Sequence, residues 1–214
     1  MRLIVLCAGG HARVVIEALL SRGTAPTAVT DCDLHRVGEF VRGIPIIGSD
    51  EEILNMKIDS VELANGLGNR ASRSDSGMAA RRALFGRFSA LGFMFPPISH
   101  ASAVIASDAI LGVGAQVMAG AIIQPSVSIG QNALVNTRAV VEHDCQVGDH
   151  AHIAPGAVLC GGVVIGDGAH VGAGAIVLGG INVGAGSIIA AGAVIAESVE
   201  AGSFAGGRAG IVNP

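Results

Sequence analysis

The chain has 214 residues, half of them hydrophobic but only 3% aromatic, with 32 glycines and neither Trp nor Tyr. Its formal net charge is −4 and no basic stripe occurs, which gives nucleic-acid binding little support. No apolar run reaches the roughly 18 residues that a spanning helix needs, so a membrane span is not expected.

The apolar mass is Ala, Val, Ile and Leu. Such a composition suits narrow, repetitive packing rather than a core filled by large rings. Cys7, Cys32, Cys145 and Cys160 show no CxxC or zinc-like spacing and read as small, reduced, mostly buried residues of a cytosolic protein. Leu3 to Ala8 is too short for a signal-peptide core and runs straight into a Gly-Gly-His turn. A cytoplasmic location is expected.

Residues 1 to 96 read as βα alternation, a small Rossmann-like α/β domain. Arg2 to Ala8 is a buried strand, Gly9-Gly10 a turn, and His11 to Arg22 a helix that Gly23 stops. Thr27 to Thr30 is a second strand, and Ile44 to Ile47 a short third. Ser49 with Glu52 three residues on forms a capping box that opens a helix through Met56. Val61 to Ala64 is another strand, followed by Gly66, Gly68 and Asn69. A helix over roughly Ser72 to Leu91 follows, and Phe93 to Phe95 leads to Pro96-Pro97, a natural boundary.

Backbone N–H groups at the start of the first helix, beside Ala8-Gly9-Gly10-His11, can hold a phosphate; a plain tight turn is the other reading. Asp31 and Asp33 follow the second strand, where a carboxylate accepts hydrogen bonds from a ribose or base, or simply faces solvent. Gly68-Asn69, at another strand end, can close over the same ligand.

Residues 97 to 214 carry a repeat. Stepping by six from Ile105 reaches Leu111, Val117, Ile123 and so on to Ile195, and all sixteen positions are Ile, Leu or Val. Position +1 is often Gly, as at Gly112, Gly130, Gly148, Gly166, Gly172 and Gly184, and position +4 is mostly Ala. Each unit makes one short strand and one corner. Three units close a triangular coil, so residues eighteen apart stack at a strand separation of roughly 4.8 Å. The aliphatic residue fills the prism, the +4 residue also points inward, and Gly supplies the corner conformations. Sixteen units give a little over five coils of a parallel β-helix.

Four of the seven histidines crowd this region: His143, His150, His152 and His170. His143 lies near a corner with Asp144 directly after it. An imidazole can accept a proton from an attacking amine or hydroxyl, and a carboxylate can fix its tautomer. Adjacent strand residues point to opposite faces, so their contact requires corner geometry. His152 and His170 should stack on adjacent coils, while His150 and His170 read as ordinary surface residues.

The segments Ala8-Gly9-Gly10-His11-Ala12-Arg13-Val14-Val15, Gly68-Asn69, Val141-Glu142-His143-Asp144-Cys145 and Gly148-Asp149-His150-Ala151-His152-Ile153-Ala154-Pro155-Gly156-Ala157 resemble the NeuD/PglD-type bacterial sugar acetyltransferases. The resemblance covers nearly the whole chain. It implies a left-handed winding for the β-helix and transfer of acetyl from acetyl-CoA to the 4-amino group of a nucleotide-linked deoxysugar, without a metal. By it, His143 is the general base, tuned by Asp144. His152 contacts acetyl-CoA near the thioester, Gly161 offers a backbone N–H nearby, and Ala173 and Ala191 line the pantetheine. Gly9, Gly10, His11, Asp31, Cys32, Gly68 and Asn69 surround the nucleotide sugar. It also implies a homotrimer with active sites between neighbouring β-helices. Two positions depart from the family: its opening glycine is Cys7 here, and its C-terminal Gly-x-Pro-Ala is Gly206-Gly207-Arg208-Ala209, where Arg208 is placed to meet a phosphate. The rival readings are a sialic acid or sugar O-acetyltransferase, and a non-acyltransferase β-helix such as a γ-type carbonic-anhydrase-like zinc protein.

Overall fold

The computed structural model describes residues 1–69, 71 and 77–206. The N-terminal part is a three-stranded parallel sheet, β1 (Arg2–Leu6) between β2 (Ala28–Val29) and β5 (Val61–Asn65). Isolated bridges from Val29 to Ile46 and from Glu62 to Met94 extend the sheet at both edges. Helix α1 (Gly10–Ser21) buries Ala12, Val15, Ile16, Ala18 and Leu19. Helix α3 (Ala79–Ala90) buries Phe85 and Phe88 on the other side, with Phe93 and Phe95 closing a small aromatic cluster. The few rings are therefore concentrated where the packing is not repetitive.

The alternation of strands and helices is as the sequence suggests, but details differ. The third strand pairs in a hairpin, β3 (Phe40–Val41) with β4 (Ile44–Pro45). Arg42 and Gly43 both take positive φ, as a two-residue hairpin turn requires, and Arg gave no turn signal. The capping box does not form. Helix α2 covers only Glu51–Leu54, and the Ser49 hydroxyl accepts from the Glu51 N–H at 3.3 Å. The Glu52 side chain lies against Gly48 instead of reaching back, and Asp50 accepts from the Thr30 hydroxyl. The helix anticipated from Ser72 begins at Ala79; residues 72 to 76 lie outside the described set.

From Ile98 the chain winds as a left-handed parallel β-helix of two-residue strands in three sheets. The first face runs from Ile98–Ser99 through Gln116–Val117, Leu134–Val135, His152–Ile153, His170–Val171 and Ile188–Ile189 to Phe204–Ala205. The second face runs from Val104–Ile105 to Val194–Ile195, and the third from Ile110–Leu111 to Asn182–Val183. Register is eighteen throughout, as at Leu134↔His152, until the last coil, which is two residues shorter and pairs Ile188 with Phe204. The second residue of each strand and the +4 residue form one continuous buried column. Before the third face, the +4 residues after the first coil's Ala109 are Val127, Cys145, Val163 and Ile181, whereas their counterparts before the other faces, between Ala103 and Ala193, are alanines save Ser187. The prism is thus wider toward that side, which explains Cys145 as packing.

The corners correct one expectation. The left-handed residue is at +3, where Gly alternates with Ser126, Asn132, Arg138, Asp144 and His150 at φ between 51° and 62°. The +1 glycines answer a different need: a Cβ on Gly130 would meet the Asp149 nitrogen at 2.6 Å, and one on Gly166 the Ala185 nitrogen at 2.5 Å. They are required by close approach of successive coils.

The α/β part packs on the first face. Met118 and Leu134 share a core with Val15, Ile16 and Leu19, and Arg22 donates to the Ser99 carbonyl at 2.7 Å.

Candidate active site

His143 and Asp144 occupy the vertex between the second and third faces. Asp144 has φ 61°, so the backbone turns sharply and brings two sequence neighbours together. His143 Nδ1 lies 2.8 Å from Asp144 Oδ2. A carboxylate only accepts, so Nδ1 carries the proton and Nε2 keeps its lone pair. The Gly162 N–H donates to the His143 carbonyl at 2.9 Å and pins the backbone from the next coil. Gly161 lies directly over the ring: a Cβ there would be 2.6 Å from Cε1 and 2.7 Å from Nε2. Both His143 and Asp144 are exposed, with about 64% and 65% of their side-chain surface open.

A second constellation lies on the opposite side of the prism, where the α/β part covers the first face. A cleft of about 580 Å³ is lined by Cys7, Gly9, Gly10, His11, the Gly66–Asn69 loop and the start of α3. A Cβ on Gly9 or Gly10 would touch nothing within 4 Å, so these glycines leave the cleft open rather than relieve a clash. Gly66 is different: a Cβ would strike the Leu6 carbonyl at 2.5 Å.

Beneath the cleft runs a buried polar network. Gln116 Nε2 donates to the Asn65 carbonyl at 2.8 Å, which turns Gln116 Oε1 toward His11 Nε2 at 2.9 Å. His11 therefore carries its proton on Nε2 and presents a bare Nδ1. Burial, with help from the Arg81 charge, pushes its pKa down to about 4, so it is neutral. Asn65 Nδ2 also donates to Asn132 Oδ1 at 3.1 Å, and Asn132 Nδ2 to His150 Nδ1 at 3.0 Å. His152 and His170 stack edge to face at 4.9 Å. His152 is 5% exposed; Asn136 donates to its Nε2 at 3.1 Å, and its Nδ1 has no partner among the described residues. Burial, then the neighbouring His170, His11 and Arg81, hold its pKa well below the usual range. Asn69 Nδ2 lies 3.1 Å from His170 Nδ1.

The reading of His150 and His170 as surface residues is overturned. His150 is 7% exposed, bonded to Asn132 and set edge-on to Phe85. His170 is half-buried between His152 and Asn69. The reason is that the α/β part covers this edge of the β-helix, which the repeat alone does not reveal.

The remaining residues singled out in the sequence fall elsewhere. Asp31 and Cys32 follow β2 beside the cleft but do not line it. Asp31 accepts from Arg36 and from the Asp33 N–H, and Cys32 is exposed. Ala173 and Ala191 stack at the vertex between the first and second faces, the Gly192 N–H donating to the Ala173 carbonyl at 2.9 Å. Arg208 lies outside the described residues. Sequence reasoning missed Asn65, Arg81, Gln116 and Asn132. Gln116 and Asn132 occupy outward and corner positions of the repeat, where polar residues are ordinary, and no pattern marks Arg81. Among the described residues, no group of three His, Cys, Asp or Glu side chains is arranged to hold a metal ion.

A hexapeptide β-helix with an exposed His-Asp pair at one vertex and a glycine-lined α/β cleft on another face defines the class: an acyltransferase with an attached small-ligand domain. Family comparison agrees. Residues 126–161 match the bacterial transferase hexapeptide (six repeats) and residues 2–76 the PglD N-terminal domain. No curated protein matches by sequence. Perosamine N-acetyltransferase from Caulobacter crescentus, as a His-to-Asn variant in complex with CoA and GDP-perosamine, is 32% identical, with 95% of this chain and 92% of that one covered and a TM-score of 0.86. The acetyltransferase domain of PglB from Neisseria gonorrhoeae, in complex with acetyl coenzyme A, is 33% identical over 96% of both chains, with a TM-score of 0.86. WeeI from Acinetobacter baumannii shares the fold at 23% identity, with 96% and 97% covered and a TM-score of 0.75. The chain belongs to the NeuD/PglD-type family of bacterial sugar acetyltransferases, and it is an acetyl-CoA-dependent enzyme.

Proposed function

We propose that the protein transfers acetyl from acetyl-CoA to the 4-amino group of a nucleotide-linked deoxyaminosugar, with His143 as general base. The observation that carries this is the His143–Asp144 contact at 2.8 Å, which fixes a basic Nε2 at an exposed vertex. The amine nitrogen attacks the thioester carbonyl and a C–N bond forms. His143 Nε2 takes the proton from nitrogen as the tetrahedral intermediate forms. The C–S bond then breaks, and the CoA sulfur leaves with a proton returned by His143. The Gly161 N–H, which makes no backbone hydrogen bond among the described residues, is assigned to the oxyanion, with the His152 donor supplied from the first face of a neighbouring copy. Residues 1–96 take the nucleotide sugar through Gly9, Gly10, His11, Gly68 and Asn69, with Asp31 and Cys32 at the nucleoside end. Residues 97–214 take acetyl-CoA between copies, along Gly161 at the His143 vertex of one copy and Ala173 and Ala191 at the other edge of the second face of its neighbour. GDP-perosamine in the Caulobacter relative supports this class of acceptor.

The two halves cannot meet within one chain. His143 is at the vertex opposite the first face, while the cleft lies over that face. A second copy resolves this. The outward residues of the second face, Val104, Ile122, Val140, Val158, Ile176 and Val194, form an apolar ladder, with Val104 62% and Val194 53% exposed. Its edge adjoins His143, so a neighbour seated there brings its own first face and cleft to that histidine. We assign a closed homotrimer on this basis. The four cysteines are unpaired, which supports a cytoplasmic setting.

The test is incubation of the purified protein with acetyl-CoA and a panel of UDP-, GDP- and dTDP-linked 4-amino sugars, following CoA release and product mass. Acetylation on nitrogen of one panel member is the expected result. Acetylation only of a hydroxyl, as on a sialic acid, would replace this reading with the O-acetyltransferase one.

A further inference from the structure

Helix α3 starts between two cavities, and the second has no part in the reaction described above. It is about 400 Å³ and lies between Ala79 and Arg82 of α3 and the vertex joining the third and first faces, where His150, Asp167 and Ala185 line it. His150 forms its buried wall and is 7% exposed. The protonation of this ring follows from a backbone N–H. The Leu67 N–H donates to Asn65 Oδ1 at 3.1 Å, so Asn65 Nδ2 donates to Asn132 Oδ1 and Asn132 Nδ2 to His150 Nδ1. Arg81 Nη1 holds the start of this chain by donating to the carbonyls of Asn65 at 3.1 Å and Leu67 at 2.8 Å. Each amide has one orientation that satisfies its neighbours. His150 Nδ1 therefore accepts, and Nε2 carries a proton that meets no acceptor among the described residues. Burial, then the Arg82 charge, holds the His150 pKa below its usual value, so the ring is a neutral donor.

Two further features converge on the cavity. Arg82 is in no ion pair among the described residues. At the vertex, a ladder of carboxylates ends. Asp149 Oδ1 accepts from the Gln131 N–H at 2.9 Å, and Asp167 Oδ1 from the Asp149 N–H at 2.8 Å. The next residue in the stack is Ala185, so the Asp167 N–H has no acceptor among the described residues. The cavity opens where the series would place its next carboxylate.

We propose that this cavity binds the carboxylate of a small hydroxy or amino acid. His150 Nε2, Arg82 and the Asp167 N–H take the carboxylate, and the start of α3 adds its partial positive charge. Asp167 Oδ2, which pairs with nothing among the described residues, accepts from the hydroxyl or ammonium beside it. The same Asp167 charge opposes a dianion such as phosphate. The site is separate from both substrates of acetyl transfer and stands without the acceptor reading.

The test is long-range 1H–15N NMR of the full-length, histidine-labelled protein titrated with glycolate, glycine, acetate and inorganic phosphate, repeated on Arg82→Gln and Ala185→Asp. The His150 signal, identified by its loss in His150→Gln, should report the Nε2–H tautomer. Glycolate or glycine should shift it saturably with a Kd of ~1–10 mM, as fits so small a ligand. The better of the two should bind ~3-fold or more tightly than acetate or phosphate, the margin of one added hydrogen bond, and their order tells hydroxyl from ammonium. Arg82→Gln should weaken binding ~10-fold, and Ala185→Asp, whose carboxylate continues the ladder, should abolish it. Arg82 is exposed, so its variant decides even where Ala185→Asp fails to fold. An Nδ1–H tautomer, no saturable shift, acetate or phosphate binding as tightly as both glycolate and glycine, or undiminished binding in a folded variant would overturn the proposal.

Discussion

At the scale of single residues, contact between His143 and Asp144 depends on a backbone conformation rather than on proximity in sequence. The 61° φ of Asp144 swings its carboxylate onto Nδ1. Gly161 then decides whether the imidazole keeps its place. Its own φ is ordinary, so alanine fits the backbone there, yet the added Cβ would lie 2.6 Å from the His143 ring. We expect Gly161→Ala to lower kcat by ~10- to 100-fold with little change in melting temperature, because the imidazole must shift by a fraction of an ångström or more. Steady-state kinetics beside a thermal melt checks this. Cys7 gives the converse case. It holds φ 71° where a glycine would be unstrained. Cys7→Gly should relieve about 1 kcal/mol and raise the melting temperature by roughly 2–4 °C. The His-Asp pair was legible in the sequence because both groups are chemically conspicuous. Arg81 and Gln116 were not, because their meaning depends on what covers them.

Among the elements, the six-residue ladder was the most legible feature, since a period held over sixteen units has few other structural solutions. What it concealed was the division of labour among glycines. Those at +3 serve conformation and those at +1 serve clearance between coils. The distinction is measurable. Gly166→Ala places a Cβ 2.5 Å from the next coil's backbone, whereas Gly168, with φ 64°, has nothing within 4 Å. Urea unfolding should show Gly168→Ala costing about 1–2 kcal/mol and Gly166→Ala clearly more, since backbone must move. The α/β elements were legible as types but not at their ends. The β3–β4 hairpin escaped because Arg42 takes a left-handed turn position without being Gly, Asn or Asp. The last coil escaped because its shortening by two residues removes the aliphatic register after Ile195.

For the whole molecule, the thickness of the prism separates His143 from the cleft, so the proposed reaction requires the proposed assembly. Val158→Glu, in the middle of the apolar ladder, should shift the species in sedimentation or light scattering toward monomer. It should abolish turnover together with assembly while the β-helix still melts cooperatively. Acid should also weaken the fold. His11 resists protonation until about pH 4 in the folded protein, while in the unfolded chain it takes a proton near the usual value of roughly 6.5. Between those values the unfolded state binds more protons, so stability is full above the upper one and falls as pH drops toward the lower. Buried His152 acts in the same direction. Melting temperatures from pH 7 to 4.5 should decline, and the decline should be shallower in His11→Gln.

The central assignment is that one imidazole at an intersubunit vertex removes the amine proton as acetyl leaves CoA. Turnover of His143→Ala on the accepted nucleotide aminosugar, with assembly and melting temperature matched to wild type, measures this directly. A fall in kcat of ~100-fold or more is the predicted result; turnover within a few-fold of wild type would contradict it.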